Sequence, residues 1–537
     1  MYKYIFLALS ITQVLAEVIV ETKLGHVKGT VMLSRDGRKF DAFLALPYAK
    51  PPVGELRFQV DPLPYTERWN ETYDATQKSP ICPQLVPSGK VIGSEDCLYL
   101  NLYVPQGTFQ ETLPVWVYIY GGRRVSGSAS VDKLGPHYIM DKPVVFITMT
   151  YRVNLLGYLS TEDDVISGNF GLKDEVMVLR WIQEHITSFG GDPNNVTLSG
   201  GSSGAIDVSL HLCSPLSKGL FHRAISQSGH PLKEVMAPGS ARKLSWITAD
   251  LMGCKSIKKS EELLKCLQKV PVENLIKNLQ NDERTAIPPP KFHPVIEHKN
   301  AKIKFLVNEP LFELRKSHNV PWLLGINHDE GSIGTIALFP KPYRDSLEKI
   351  RNRLPKFLGY STFNNKDQIT DQFLEKYFHN KPINQSFDVL SRLFGTAHFV
   401  VGAIDCALEY NGERYFYVYD HENAINYARN YFLRMAFSKE KTGVCHGEEL
   451  RSLQHYPNLF PPIIDGDDRI VSNQVISLWY NFVAYGDPNG KTKSTREIWK
   501  PVSTPQLEYL HIHGLKLSMK TAPYWNYYKF FKNITQS

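Results

Sequence analysis

The chain has 537 residues, 42% of them hydrophobic and 12% aromatic, enough apolar material for a large buried core. Its 61 basic and 54 acidic residues leave a formal charge of +7. The charges are interspersed and form no basic stripe, which speaks for a solvated mixed surface and against a nucleic-acid or lipid-headgroup face.

Residues 1–16, "MYKYIFLALSITQVLA", carry one early lysine, an apolar run and small residues at the cleavage positions, the pattern of a secretory signal peptide. Residues 17–537 are then expected to form a single extracellular domain. No later apolar run is long enough to span a bilayer, and the C-terminal "YYKFFKNITQS" has neither a retention signal nor a lipid-anchor tail, so no membrane anchor is expected. Seven cysteines in a secreted chain allow three disulfides. Cys82 with Cys97 and Cys254 with Cys266 stand out as local pairs closing short loops, while Cys213, Cys406 and Cys445 match no zinc spacing and read as buried thiols. Glycosylation sequons at Asn70, Asn384 and Asn533 lie in polar surroundings; a fourth, at Asn195, immediately precedes an apparent strand.

"PVWVYIY" (114–120), "PVVFITMTY" (143–151) and "NVTLSG" (195–200) are continuous β-branched and aromatic runs, suited to strands covered on both faces. Between the last two, Val176, Leu179, Ile182 and Ile186 recur at helical spacing. Strand, helix, strand is a crossover unit of an α/β fold. Further strands are predicted at 223–229, 320–327, 414–420 and 508–514, separated by long insertions, with no internal repeat and no low-complexity linker.

"VTLSGGSSGAIDV" (196–208) admits three readings: a flexible Gly/Ser loop, a phosphate cradle, or a turn presenting one serine. No lysine follows Gly204, and no G-x-G-x-x-G fingerprint is in register, which removes the support for a nucleotide. G-x-S-x-G fits only with Ser202 at its centre, and the strand before and helix-like segment after it suit a sharp turn that lifts Ser202 above the sheet. A serine nucleophile needs a base, and the base an orienting acid. Glu330 in "LLGINHDEGS" and His446 in "TGVCHGEEL" follow in the order Ser, acid, His, each in a turn where it could face the carboxyl edge of a sheet.

At these residues the chain resembles the type-B carboxylesterase and cholinesterase family. The likeness is carried by "LALPYAKPPVGELRF", "SEDCLYLNLYVP", "GNFGLKDEVMVLRWIQEHITSFGGDPNNVT" and "WYNFVAYGDPN", and spans essentially the whole mature chain. It implies an α/β-hydrolase fold, a mixed central sheet flanked by helices with a deep active-site gorge. It also implies a two-step serine ester hydrolysis of a small-molecule ester that needs no metal or organic cofactor. Ser202 would be the nucleophile, Glu330 the acid, His446 the base and Ser228 a support for the acid, with the disulfides on the two local pairs already noted. The oxyanion hole would use the backbone amides of Gly122, Arg123 and Ser203.

Three departures from the family pattern set further expectations. In "YIYGGRRVSG" the third glycine is Arg123 and the usual aromatic is Arg124. Arg123 is expected to be strained if the turn needs a positive φ, and its side chain either crowds the gorge, turns aside to favour an acidic substrate group, or reaches solvent or a structural carboxylate. Gly201 replaces a bulkier polar residue, which is expected to widen the site or remove an interaction near His446; it also weakens the resemblance to juvenile hormone esterases. The Cys82–Cys97 loop holds no Trp, so the cation–π platform for choline is missing. The pattern looks more like the secreted insect carboxylesterases acting on small or lipophilic esters. The competing expectation is an esterase-like binding or adhesion protein, weakened or inactive because of its altered oxyanion sequence.

Overall fold

The computed structural model describes residues 17–59, 61–86, 88–232, 234–279, 292–316, 319–338, 347–379, 386–426, 442–491, 498–503 and 506–536. The expected leader and Asn384 lie outside the described residues.

The chain begins with antiparallel strands β1 (Glu17–Thr22), β2 (Gly25–Leu33) and β3 (Lys39–Pro47), with the short β4 (Tyr73–Asp74) beside β2. A small hairpin, β5 (Gln84–Leu85) and β6 (Val91–Ile92), sits inside the loop closed by the Cys82–Cys97 disulfide. The central strands are β7 (Tyr99–Pro105), β8 (Leu113–Ile119), β9 (Val145–Met149), β10 (Gly191–Gly201), β11 (Arg223–Gln227), β12 (Trp322–Asn327), β13 (Arg414–Asp420), β14 (Glu508–His513) and β15 (Lys516–Thr521). Among the described residues, thirteen strands make one mixed sheet in the order β1-β2-β3-β7-β9-β8-β10-β11-β12-β13-β14-β15, with β4 off the path. From β9 through β14 every neighbouring pair is parallel.

The apolar runs account for this arrangement. Every residue of β9 and β12 is buried, as are all but one of β8, because helices cover both faces of a parallel sheet. Three of those helices are α1 (Asn154–Tyr158), α2 (Phe170–His185) and α3 (Ser203–Cys213). Val176, Leu179 and Ile182 of α2 are buried, so the predicted apolar stripe is the face that meets the core. The crossover from β9 to β10 passes over β8, which places the two strand ends that bracket the site side by side. One continuous apolar core surrounds the sheet, and a second cluster joins the helices between 347 and 395 to the C-terminal helix Trp525–Gln536. Cys254–Cys266 is the second disulfide, and Cys213, Cys406 and Cys445 are buried and free.

Candidate active site

Because β8, β10, β11 and β12 run parallel, the segments that follow them all emerge on one edge of the sheet, where open α/β folds bind ligands. β10 ends at Gly201, and Ser202 follows with φ 58° and ψ −125°, a strained conformation for a residue with a side chain. The turn is held by its amide donating to the Gln227 carbonyl (2.8 Å) and its carbonyl accepting from the Ile206 amide (3.1 Å). Only glycine fits at Gly204, where a Cβ would lie 2.2 Å from the Ile119 carbonyl oxygen. The Gly/Ser stretch is therefore a tightly packed elbow.

His446 Nε2 lies 2.7 Å from Ser202 Oγ, and its Nδ1 lies 2.6 Å from Glu330 Oε2. The other Glu330 oxygen accepts the Asn327 amide at 2.7 Å, from the last residue of β12. This network assigns the proton of neutral His446 to Nδ1, leaving the Nε2 lone pair to accept from the serine. Glu330 and His446 are buried, whereas Ser202 is half-buried, so the array opens to solvent at the serine. Burial pushes the His446 pKa down, but the charge and hydrogen bond of Glu330, with a smaller effect of Glu449, more than reverse this and leave it raised.

Ser228 does not reach Glu330. Its hydroxyl donates to Glu449 Oε1 at 3.4 Å, and Asn327 Nδ2 donates to the other Glu449 oxygen. Its support of the acid, expected from the resemblance, is therefore indirect, through a second buried carboxylate. Burial and the Glu330 charge push Glu449 up to about 7. Glu449 stands in the "HGEEL" stretch three residues after His446, but nothing in the sequence pairs it with Ser228 and Asn327. Phe399 was equally hidden: its ring lies 4.7 Å from that of His446, on a π-helical turn, Thr396–Val400.

The segment expected to supply the oxyanion donors follows β8, whose Ile119 is in register with Gly200. Val125 N–H donates to the Gly122 carbonyl (3.1 Å), closing a turn whose central residues Arg123 and Arg124 both have positive φ, 60° and 58°. That is the mirror-image turn glycine and asparagine prefer. Arg124 holds it in place. Its Nε donates to Asp207 Oδ1 (2.7 Å), Nη1 to Glu234 Oε2 (3.1 Å) and its amide to Ser203 Oγ (3.3 Å), while its carbonyl accepts from Asn154 N–H (2.6 Å). Arg123 is strained, as a positive φ requires, and its side chain is solvent-exposed. Desolvation by the surrounding protein lowers its pKa. The amides of Gly122, Arg123 and Ser203 have no intramolecular acceptor among the described residues.

Gly201 does not widen the site. A Cβ there would lie 2.8 Å from Tyr118 Oη and 3.0 Å from both Leu450 methyls, so those side chains already fill the space of the bulkier residue. Asn70 and Asn533 are exposed; the Asn195 amide is engaged with the Ala484 carbonyl (3.3 Å) and accepts from Arg223.

The model of the carboxylesterase family matches residues 16–531. The chain belongs to the carboxylesterase family. Among curated proteins, this carboxylesterase is 34% identical to "Juvenile hormone esterase" of Tribolium castaneum, over 92% of its own chain and 89% of the relative's. It is 33% identical to "Esterase E4" of Myzus persicae, over 90% and 88%. Among solved structures, juvenile hormone esterase from Manduca sexta, with OTFP covalently attached, superposes with a TM-score of 0.84 at 27% identity, covering 97% of this chain and 100% of that one. The fold is that of an α/β hydrolase and the activity is hydrolysis of carboxylic esters. The reading as an inactive binding protein is not favoured.

Proposed function

We propose that this carboxylesterase is secreted and cleaves small or lipophilic esters through an acyl-enzyme on Ser202. The observation that carries the reading is the continuous contact from Ser202 Oγ to His446 to Glu330, at 2.7 and 2.6 Å. His446 Nε2 takes the hydroxyl proton as Ser202 Oγ attacks the ester carbonyl. Glu330 holds the tautomer and stabilises the imidazolium that forms. The carbonyl oxygen, now an oxyanion, is received by the free amides of Gly122, Arg123 and Ser203. His446 then gives its proton to the leaving alcohol, and a water repeats the sequence on the acyl-enzyme.

Arg123 serves by its backbone, since a side chain that faces solvent does not cover its own amide. Secretion is supported by the leader-like residues 1–16, the two disulfides and the exposed sequons at Asn70 and Asn533. The test is labelling of the protein by a fluorophosphonate probe beside Ser202→Ala and His446→Ala. Labelling is expected in the parent chain alone; labelling that survives Ser202→Ala would overturn the assignment of the nucleophile.

A further inference from the structure

Away from Ser202, the ends of β13 and β14 bring two imidazoles and a carboxylate together. His511 and His513 are two residues apart on β14, so both project from the same face. Asp420, the last residue of β13, is in parallel register with His513. Its Oδ2 lies 3.0 Å from His511 Nε2 and 2.8 Å from His513 Nδ1, and one ligand atom from each of the three residues lies within 4.8 Å of the others. The two imidazoles are stacked, 13° apart in plane. The catalytic steps described above use none of these groups.

We propose that Asp420, His511 and His513 form a surface site for a divalent transition metal of the zinc class. Two imidazoles and one carboxylate are a donor set that suits zinc, copper or nickel better than calcium or magnesium, which take oxygen. Tetrahedral coordination at about 2.0–2.2 Å separates ligand atoms by roughly 3.3 Å. The observed 2.8 and 3.0 Å need opening by only a few tenths of an ångström. His513, with 66% of its side chain exposed, is free to make that movement, while Asp420 and His511 at 19% and 11% are held by the sheet. Three protein ligands leave a fourth position for water.

Metal here would tie the end of β13 to β14. The residue before Asp420, Tyr419, accepts the His328 amide at 2.9 Å, two positions ahead of Glu330. The site is thus a clamp on the shelf that bears the segment leading to the acid.

The test uses the mature protein stripped by chelator, with Zn²⁺ as the probe, read by calorimetric titration and by thermal unfolding. One equivalent is expected to bind and to raise the unfolding temperature. Asp420→Asn and His513→Gln, checked for folding by near-UV circular dichroism and aryl-ester turnover, are each expected to weaken binding by about tenfold or more. A measurement on the unmodified chain stands apart from the variants: Zn²⁺ is expected to protect His511 and His513 from diethyl pyrocarbonate, located by peptide mapping. Equal Zn²⁺ binding by parent and folded variants, absence of binding by the parent, or unprotected histidines would each overturn the proposal.

Discussion

Gly201→Ala tests whether the position before the nucleophile is an open space or a filled one. The added Cβ would sit 2.8 Å from Tyr118 Oη and 3.0 Å from the two Leu450 methyls. Neither side chain can swing into solvent, since Tyr118 is 2% and Leu450 8% exposed. Overpacking of this kind costs about 1–3 kcal/mol. Restricting the unfolded chain by losing a glycine returns about 0.4–1 kcal/mol, because Gly201 does not occupy the left-handed region. The net expectation is a loss of about 1–2 kcal/mol, or thermal inactivation up to roughly 5- to 30-fold faster where the loss falls on the unfolding barrier. Leu450 directly follows Glu449 on the helix Glu448–Leu453, so the displacement also reaches the groups behind His446, and kcat for an aryl ester should fall. Tyr118→Phe removes the shorter contact and should restore part of both losses, with a coupling of at least about 0.5 kcal/mol in the double-mutant cycle. Wild-type inactivation and turnover in Gly201→Ala would refute the reasoning and show the site to be widened there.

Three further substitutions address the site and its frame. Arg123→Gly should leave turnover of a neutral aryl ester within about threefold and stability unchanged or about 1 kcal/mol higher; a gain approaching 10²–10³ would mean that the side chain had been blocking an oxyanion donor. Glu449→Gln removes a negative charge that helps to raise the His446 pKa, so the acid limb of kcat/KM should move to lower pH; an unmoved limb would show the two groups to be uncoupled. Paired Cys254→Ser and Cys266→Ser should destabilise the chain by about 2–3 kcal/mol, from a loop with a sequence separation of 12, and leave kcat intact, read as faster thermal inactivation with unchanged initial rates.

The parts of the molecule legible in the sequence are those whose causes are local. The strand ending at Gly201, the glycines around Ser202 and the apolar stripe of α2 each need only near neighbours, so the elbow and its crossover could be read directly. Glu330 and His446 were located by chain order and turn chemistry, not by contact. What stayed hidden depends on residues far apart in sequence. Tyr118 and Leu450 fill the space beside Gly201, Phe399 lies against His446, and Ser228 pairs with Glu449; nothing in any one stretch announces its partner. The antiparallel strands β1 to β3 were also missed, because the half-exposed alternation of Glu17–Thr22 is weak beside the continuous runs of the central sheet.

A second constellation in the same molecule separates geometry from chemistry. His211 Nδ1 lies 2.6 Å from Ser217 Oγ and its Nε2 2.9 Å from Glu175 Oε2, so serine, histidine and glutamate are joined at distances like those of the array at Ser202. All three are fully buried, with no exposed atom through which an ester could approach. Burial also drives the His211 pKa down to about 3 and the Glu175 pKa well above its ordinary value, so burial opposes the charged form of both partners. His446 has the opposite balance, with a carboxylate raising its pKa against burial, and its serine is half-buried, not sealed. Access to solvent and the direction in which the surroundings move the imidazole therefore distinguish the proposed reactive array from the structural one. Ser217 should remain unlabelled by a fluorophosphonate under conditions that label Ser202.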